Sequence, residues 1–368
     1  MSAQDVVAKV VRAEIQRMHA YPVAEAAGMV KLDVMESPYR LPPELAAEIG
    51  EVVSRVAMNR YPVPSATELR ALIRAVMQVP AGCDVLLGNG SDECIQYITA
   101  ALAREGAVVM APAPSFAMFS MHALFYRLRF VGVPLRADFT LDAQAFLAAM
   151  AKEQPSLVWI AFPNNPTGNA FAVDDIERIV RAAPGLVVID EAYQPFAGAT
   201  FMPRLAEFEN MVVMRTVSKI GMAGLRLGYV CGRPEWISSF DKTRSPFNIN
   251  VLTEAVAIRL LQNKEVLDAQ AASVLAERER VRPELARLAG LTVFPSAANF
   301  LLVRVAGGQG AQSARGAGTR AFERLKSQGV LVKNFSGGHP LLENCLRLTI
   351  GTPEENRILI AALREALK

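Results

Sequence analysis

The hexapeptide T-V-S-K-I-G, residues 216–221, places Lys219 just past an apolar run and behind small hydroxyl residues. An ammonium in that setting loses hydration, which lowers its pKa from the ordinary value of about 10.4. The neutral amine is then a nucleophile able to form a Schiff base with an aldehyde. The same six residues also suit a surface lysine after a strand. Arg226, in G-L-R-L-G seven residues on, offers a planar fork for phosphate or for an ordinary salt bridge. In V-V-I-D-E-A-Y, residues 187–193, the four-residue apolar run Leu186–Ile189 leads to Asp190. Open α/β sheets bind ligands at that end of a strand. A carboxylate there, facing a protonated aromatic ring nitrogen, would gain ~4 kcal/mol at ~4 Å and an effective dielectric of ~20. That is about three pKa units, enough to keep such a ring cationic. A strand-end aspartate that caps a turn has the same sequence. In F-P-N-N-P-T-G, residues 162–168, two prolines and a glycine present Asn165 rigidly, as they would in any tight turn. G-N-G-S-D-E, residues 88–93, lets the backbone N–H groups of Gly90, Ser91 and Asp92 converge at a helix start, an anion site or a glycine-rich cap.

These groups need elements to hold them. Short, continuously apolar runs at Val85–Leu87, Ala107–Ala111, Leu157–Phe162, Leu186–Ile189 and Met211–Thr216 alternate with segments of helical period. That pattern predicts an α/β fold with a parallel sheet covered on both faces. Leu69, Leu72, Ile73 and Val76 share one helical face, as do Ile95, Ile98, Thr99 and Leu102. Ser65 with Glu68, and Asp174 with Glu177, have the spacing of capping boxes. After Thr253 a long charged helical stretch leads to a smaller α+β unit. That unit has strand-like Phe300–Val305, Val330–Lys333 and Leu346–Ile350, a helix around Phe322–Lys326 and a closing helix from Glu354. Residues 307–318, with five glycines, read as a solvated surface loop.

Composition narrows the function. The chain has 368 residues, 52% hydrophobic and 20% charged, enough apolar surface to offset the entropy of ordering two or three domains. A net charge of +3 is too small for a general attraction to nucleic acid or to a membrane surface. Four irregularly spaced cysteines indicate neither a disulfide framework nor zinc. No apolar run approaches a bilayer span, and Asp5, Lys9, Arg12 and Glu14 stand where a signal peptide needs an apolar stretch, so a cytoplasmic protein is expected. Three scattered histidines, no H-E-x-x-H and no G-x-S-x-G argue against metal hydrolysis and a serine nucleophile elbow. The segment G-M-A-G-L-R-L-G does not match the dinucleotide fingerprint, which argues against a dehydrogenase.

The order and spacing of the four motifs along one chain resemble those of aminotransferases dependent on pyridoxal phosphate, with the aspartate aminotransferase fold (fold type I). The resemblance covers essentially the whole chain. Within that family, K-L-D-V-M-E-S-P-Y at 31–39, N-R-Y-P at 59–62, P-S-F-A-M-F at 114–119, N-F-L-L-V at 299–303 and C-L-R-L-T-I-G-T at 345–352 are similar to the histidinol-phosphate aminotransferases of histidine biosynthesis. The resemblance implies a large domain, residues 36–262, with a mostly parallel seven-stranded sheet. It also implies an N-terminal arm, residues 1–35, that joins a smaller C-terminal domain, residues 263–368.

By that similarity Lys219 holds pyridoxal phosphate, Asp190 pairs with the ring nitrogen, and Asn165 and Tyr193 bond the ring's 3-oxygen. Phe116 stacks on the ring, where the family more often has tyrosine. Ser218, Arg226 and the backbone of Gly90, Ser91 and Asp92 hold the phosphate, and Tyr61 reaches the phosphate of the neighbouring subunit in a homodimer. Arg347 takes the phosphate of histidinol phosphate in one half-reaction and the carboxylate of glutamate in the other, helped by Tyr21. Lys333 stands where many relatives carry arginine, which turns a forked contact into a point charge. The spacing from Lys219 to Arg226 is one residue shorter than in many relatives, so a tighter loop is expected. Rivals on the same fold are an aromatic amino-acid aminotransferase and a threonine-phosphate decarboxylase. A non-catalytic sensor would carry a DNA-binding extension, for which the sequence shows no helix-turn-helix.

Overall fold

The computed structural model describes residues 1–20, 24–307 and 316–368. The chain opens with two short helices, Ala3–Val10 and Ala13–Gln16, and a two-residue strand, β1 (Val30–Lys31). Seven strands then form one sheet: β2 (Asp84–Asn89), β3 (Val108–Ala113), β4 (Arg129–Pro134), β5 (Leu157–Ala161), β6 (Leu186–Asp190), β7 (Met211–Thr216) and β8 (Leu227–Gly232). Their order across the sheet is β2-β8-β7-β6-β5-β3-β4, and only β8 runs against the rest.

The apolar runs explain this sheet. Along β5, β6 and β7, Val158, Ile160, Val187, Ile189, Met211 and Val213 enter one apolar cluster. The residues between them, Leu157, Trp159, Leu186, Val188, Val212 and Met214, enter another on the opposite face. Period-two geometry sends alternate side chains to opposite faces, so strands covered by helices on both sides must be apolar at every position.

Two strands escape the reading of continuous apolar runs. β4 is an edge strand whose residues are exposed or half-buried except Val133, so its hydrophobicity is diluted. β8 begins inside the glycine-bearing G-L-R-L-G and carries Gly228 and Gly232, which hide a fully buried strand.

A third apolar cluster unites Leu32 and Met35 with residues from Ala271 to Ala366. Its sheet has the order β12-β13-β10-β9, with β9 (Leu291–Val293), β10 (Phe300–Val305), β12 (Lys333–Asn334) and β13 (Cys345–Thr349). β1 pairs in parallel with β11 (Val330–Leu331), which ties residues near 30 to the C-terminal part of the chain. The charged stretch after Thr253 is two helices, Val251–Gln262 and Lys264–Ala286.

Neither expected capping box forms. Ser65 instead accepts a bond from the Thr67 hydroxyl at 2.9 Å, and the helix Thr67–Val76 starts behind Ala66 with no side-chain cap. Asp174 lies inside the first turn of the helix Val173–Ala182, while Glu177 pairs with Arg204. Reciprocal boxes occur at Ser2 with Asp5 and at Thr352 with Glu355. Of the glycine-rich segment 307–318, residues 308–315 lie outside the described residues. Its end is corrected: Ala317 and Gly318 are buried and begin the helix Ala317–Ser327.

Candidate active site

The carboxyl ends of β5, β6 and β7 open into a cleft of about 370 Å³. Its lining includes Phe116, Asn165, Asp190, Tyr193, Ser218, Lys219 and Arg226, together with Ser91 and Asp92. Asn165, Asp190 and Lys219 thus come from the ends of β5, β6 and β7 or from the turn just beyond, as open α/β sheets arrange their ligands.

Asp190 is the last residue of β6 and is 5% exposed. Its Oδ1 accepts the Ala192 N–H at 3.0 Å. Burial pushes its carboxyl up to about 7, with Asp92 and Glu191 adding repulsion against the pull of Lys219. Glu191, one residue on, turns to the other face and forms a buried ion pair with Arg215 at 2.8 Å. The two acids of D-E-A-Y therefore serve different faces of the sheet.

Lys219 sits in a single 3₁₀ turn, Ser218–Ile220, that follows β7. Its Nζ donates to the Val34 carbonyl at 3.2 Å and lies 6.0 Å from the centre of the Tyr193 ring. Burial brings its pKa down to about 8, helped by the positive charge of Arg347 and opposed by Asp92 and Glu36. The alternative of a surface lysine is removed. The expected tight loop to Arg226 is made of two successive 3₁₀ turns, Ser218–Ile220 and Ala223–Leu225, with left-handed backbone at Gly221 and at Arg226, φ 51°. A non-glycine residue in that region is uncommon and clusters at functional sites.

The anion end is built on the helix Ser91–Leu102, whose first residues present unpaired N–H groups. Gly90, at φ 81°, precedes it, and a Cβ there would meet Arg226 Nη2 at 2.5 Å. Glycine thus lets the guanidinium lie across the helix entrance. Arg226 also pairs with Asp92 at 3.2 Å, the salt bridge that was one of its two sequence readings. The Ser218 hydroxyl lies 2.8 Å from that of Thr216.

Asn165 joins this cleft to the second sheet. Its amide nitrogen donates to the Tyr193 hydroxyl at 3.2 Å, and its oxygen accepts from Arg347 Nη1 at 2.6 Å. Arg347, from β13, is buried, donates to the Asp33 carbonyl at 2.8 Å, and lies between the rings of Phe300 and Phe335 at 5.4 and 5.3 Å. Lys333 stands opposite Arg347 in the antiparallel register. Burial lowers the Lys333 pKa, and the neighbouring guanidinium lowers it further.

Tyr61 is not brought into the cleft within this chain. Tyr61 is 80% exposed and stacks on Phe247, ring centres 4.7 Å apart, so it is not a packed core tyrosine. Tyr21 lies outside the described residues. The segment Asp33–Glu36 is the part that residue reading missed: it contributes carbonyl oxygens to Lys219 and Arg347, and a carbonyl leaves no side-chain signal.

The donor set fits pyridoxal phosphate. A lysine with a lowered pKa and a buried carboxylate line one cleft, and the glycine that admits Arg226 marks a helix entrance shaped for a phosphate. Among the described residues no cluster of histidine, cysteine or acid could hold a metal ion, and no helix is long and apolar enough to cross a membrane.

Residues 27–363 match the family Aminotransferase class I and II. The chain therefore belongs to the class I and II aminotransferases. Among curated relatives it is 55% identical to histidinol-phosphate aminotransferase 2 of Cupriavidus pinatubonensis, covering 98% of this chain and 97% of that one. It is 54% identical to histidinol-phosphate aminotransferase 1 of Ralstonia nicotianae, covering 100% and 97%. Among solved structures, the histidinol-phosphate aminotransferase of Sinorhizobium meliloti in complex with pyridoxal-5'-phosphate superposes with a TM-score of 0.84 at 26% identity, covering 97% of each chain.

Proposed function

We infer that the protein is a pyridoxal-phosphate-dependent aminotransferase that moves an amino group from L-histidinol phosphate to 2-oxoglutarate, giving imidazole-acetol phosphate and glutamate. The observation that carries this reading is the bond from Arg347 to Asn165, which sets an oxyanion-binding fork beside the cleft that holds Lys219 and Asp190. The relatives' names, at 54–55% identity over the full length, support the same substrate.

Pyridoxal phosphate, when bound, supplies an electron-withdrawing ring that stabilises negative charge at the substrate's Cα. The chain's own residues do the rest. Lys219, with a pKa near 8, is poised to take the Cα proton and return it to the adjoining carbon. Asp190, as a carboxylate, would accept a hydrogen bond from the ring N–H and keep that nitrogen charged. Asn165 and Tyr193 would bond the ring oxygen, Phe116 would cover the ring, and Ser218, Arg226 and the N–H groups of Gly90, Ser91 and Asp92 would hold the phosphate. Arg347 binds whichever oxyanion arrives, phosphate or carboxylate, with Lys333 as a second positive charge and Tyr21 as a further contact.

A homodimer belongs to the same reading. Met58, Tyr61 and Val63 are 65%, 80% and 63% exposed, and Phe247, under Tyr61, is 40% exposed. A second copy would cover this apolar stretch and bring Tyr61 to the partner's phosphate site. The division at about residues 35 and 262 fits the separate sheets and apolar clusters. A cytoplasmic setting suits the four cysteines, all buried free thiols.

Glutamate formation from 2-oxoglutarate, with histidinol phosphate, phenylalanine and threonine phosphate compared as donors, tests the assignment. Histidinol phosphate should give the highest kcat/KM. A higher value with phenylalanine, or carbon dioxide release from threonine phosphate, would replace the proposed substrate.

A further inference from the structure

Phe116 lies between two hollows. One is the active-site cleft; the other is an outer cleft of about 300 Å³ lined by Pro114, Ser115, Phe119, Pro166 and Phe335 among others. An aromatic ring with space on both sides gains little positional restraint from packing, because voids supply no contact atoms. Its carbon contacts include an edge-on approach to Phe119, ring centres 5.7 Å apart, at the margin of the apolar cluster around Trp159. Further restraint acts through the backbone that carries it.

That backbone is tied to the turn bearing Asn165 by the preceding residue, Asn164. Asn164 is wholly buried, and its amide is fully engaged. Its Oδ1 accepts the Ser115 hydroxyl at 2.8 Å, and its Nδ2 donates to the Pro114 carbonyl at 3.0 Å and to Thr167 Oγ1 at 2.7 Å. On its own side, the Asn164 N–H donates to the Asn169 carbonyl at 2.9 Å, and its carbonyl accepts from Gly168 at 2.8 Å. Two hydrogen bonds therefore cross between the loop that carries Phe116 and the turn that carries Asn165.

We propose that Asn164 and Ser115 are positioning residues that fix Phe116 at stacking distance from the cofactor ring, in register with Asn165. The proposal rests on the reading that Phe116 stacks on that ring. Phe116 and Asn165 then act as two sides of one preformed slot. A slot held before the cofactor arrives spares the ordering of a loop on binding.

The test is a double-mutant cycle on cofactor affinity. Asn164→Ala would leave several buried groups unpaired and could fail to fold, so Ser115→Ala, which removes one hydroxyl, is the probe. The cofactor-free protein is titrated with pyridoxal phosphate in four forms: unaltered, Ser115→Ala, Phe116→Ala and the double variant. The loss of one neutral hydrogen bond should weaken binding about three- to ten-fold in the otherwise unaltered protein. In the Phe116→Ala background the same change should have no effect, because no ring is left to position. Ser115→Thr, which keeps the hydroxyl, should restore affinity. An equal loss in both backgrounds, or no loss in the unaltered protein, overturns the tie while leaving the stacking intact. If Phe116→Ala itself leaves affinity unchanged, the stacking reading fails and the tie falls with it.

Discussion

Lys219 and Asp190 carry opposite burdens from one cause. Burial disfavours charge on both, so the lysine is brought down to about 8 and the aspartate pushed up to about 7. Linkage gives the signs. Between about 3.8 and 7 the folded chain binds more protons at Asp190 than the unfolded chain does, so this residue's contribution to stability is lost as pH rises through that window. Between about 8 and 10.5 the unfolded chain binds more protons at Lys219, so stability increases with pH there. Thermal unfolding of the cofactor-free protein should therefore show stability falling as pH rises from about 3.8 to 7, a fall that Asp190→Asn flattens. A fall of unchanged depth in that variant would mean Asp190 is not the group that titrates. These two residues were legible from sequence because apolar runs led up to both. The roles of Val34 and Asp33 were not, since each contributes a carbonyl whose direction depends on the tertiary path.

At the scale of elements, the site is a set of strand ends and one helix entrance. The parallel strands were readable because a sheet covered on both faces requires apolar residues at consecutive positions, as along β5 and β6. The antiparallel β8 and the edge strand β4 lacked that signature, and the two capping boxes read from spacing lost to starts at Thr67 and Val173. The helix entrance yields its own prediction. Gly90→Ala forces a methyl to within 2.5 Å of Arg226 Nη2 and strains a backbone at φ 81°. With ψ at 165° that backbone lies in a region essentially reserved for glycine, and a side chain there costs about 1–3 kcal/mol. Arg226 must move, so affinity for pyridoxal phosphate should drop about ten-fold or more, measured by titration of the cofactor-free protein. Unchanged affinity would separate the helix entrance from the phosphate site.

For the whole molecule, the cleft lies where the seven-stranded sheet meets the four-stranded one, since Asn165 follows β5 and its partner Arg347 stands in β13. Tyr61 stands apart from it, exposed on Phe247, and in the proposed homodimer it would complete the partner's site. Mixing a Lys219→Ala chain with a Tyr61→Phe chain tests that. The mixed dimer has one site carrying both defects and one carrying neither, so it should recover activity beyond either parent; no recovery would place Tyr61 outside the partner's site. The most direct measurement is the visible spectrum of the purified protein loaded with pyridoxal phosphate. Histidinol phosphate should bleach the yellow colour one equivalent per chain, 2-oxoglutarate should restore it, and Lys219→Ala should complete neither change at a catalytic rate. A colour that histidinol phosphate leaves untouched, or that cycles equally fast without Lys219, would contradict the account.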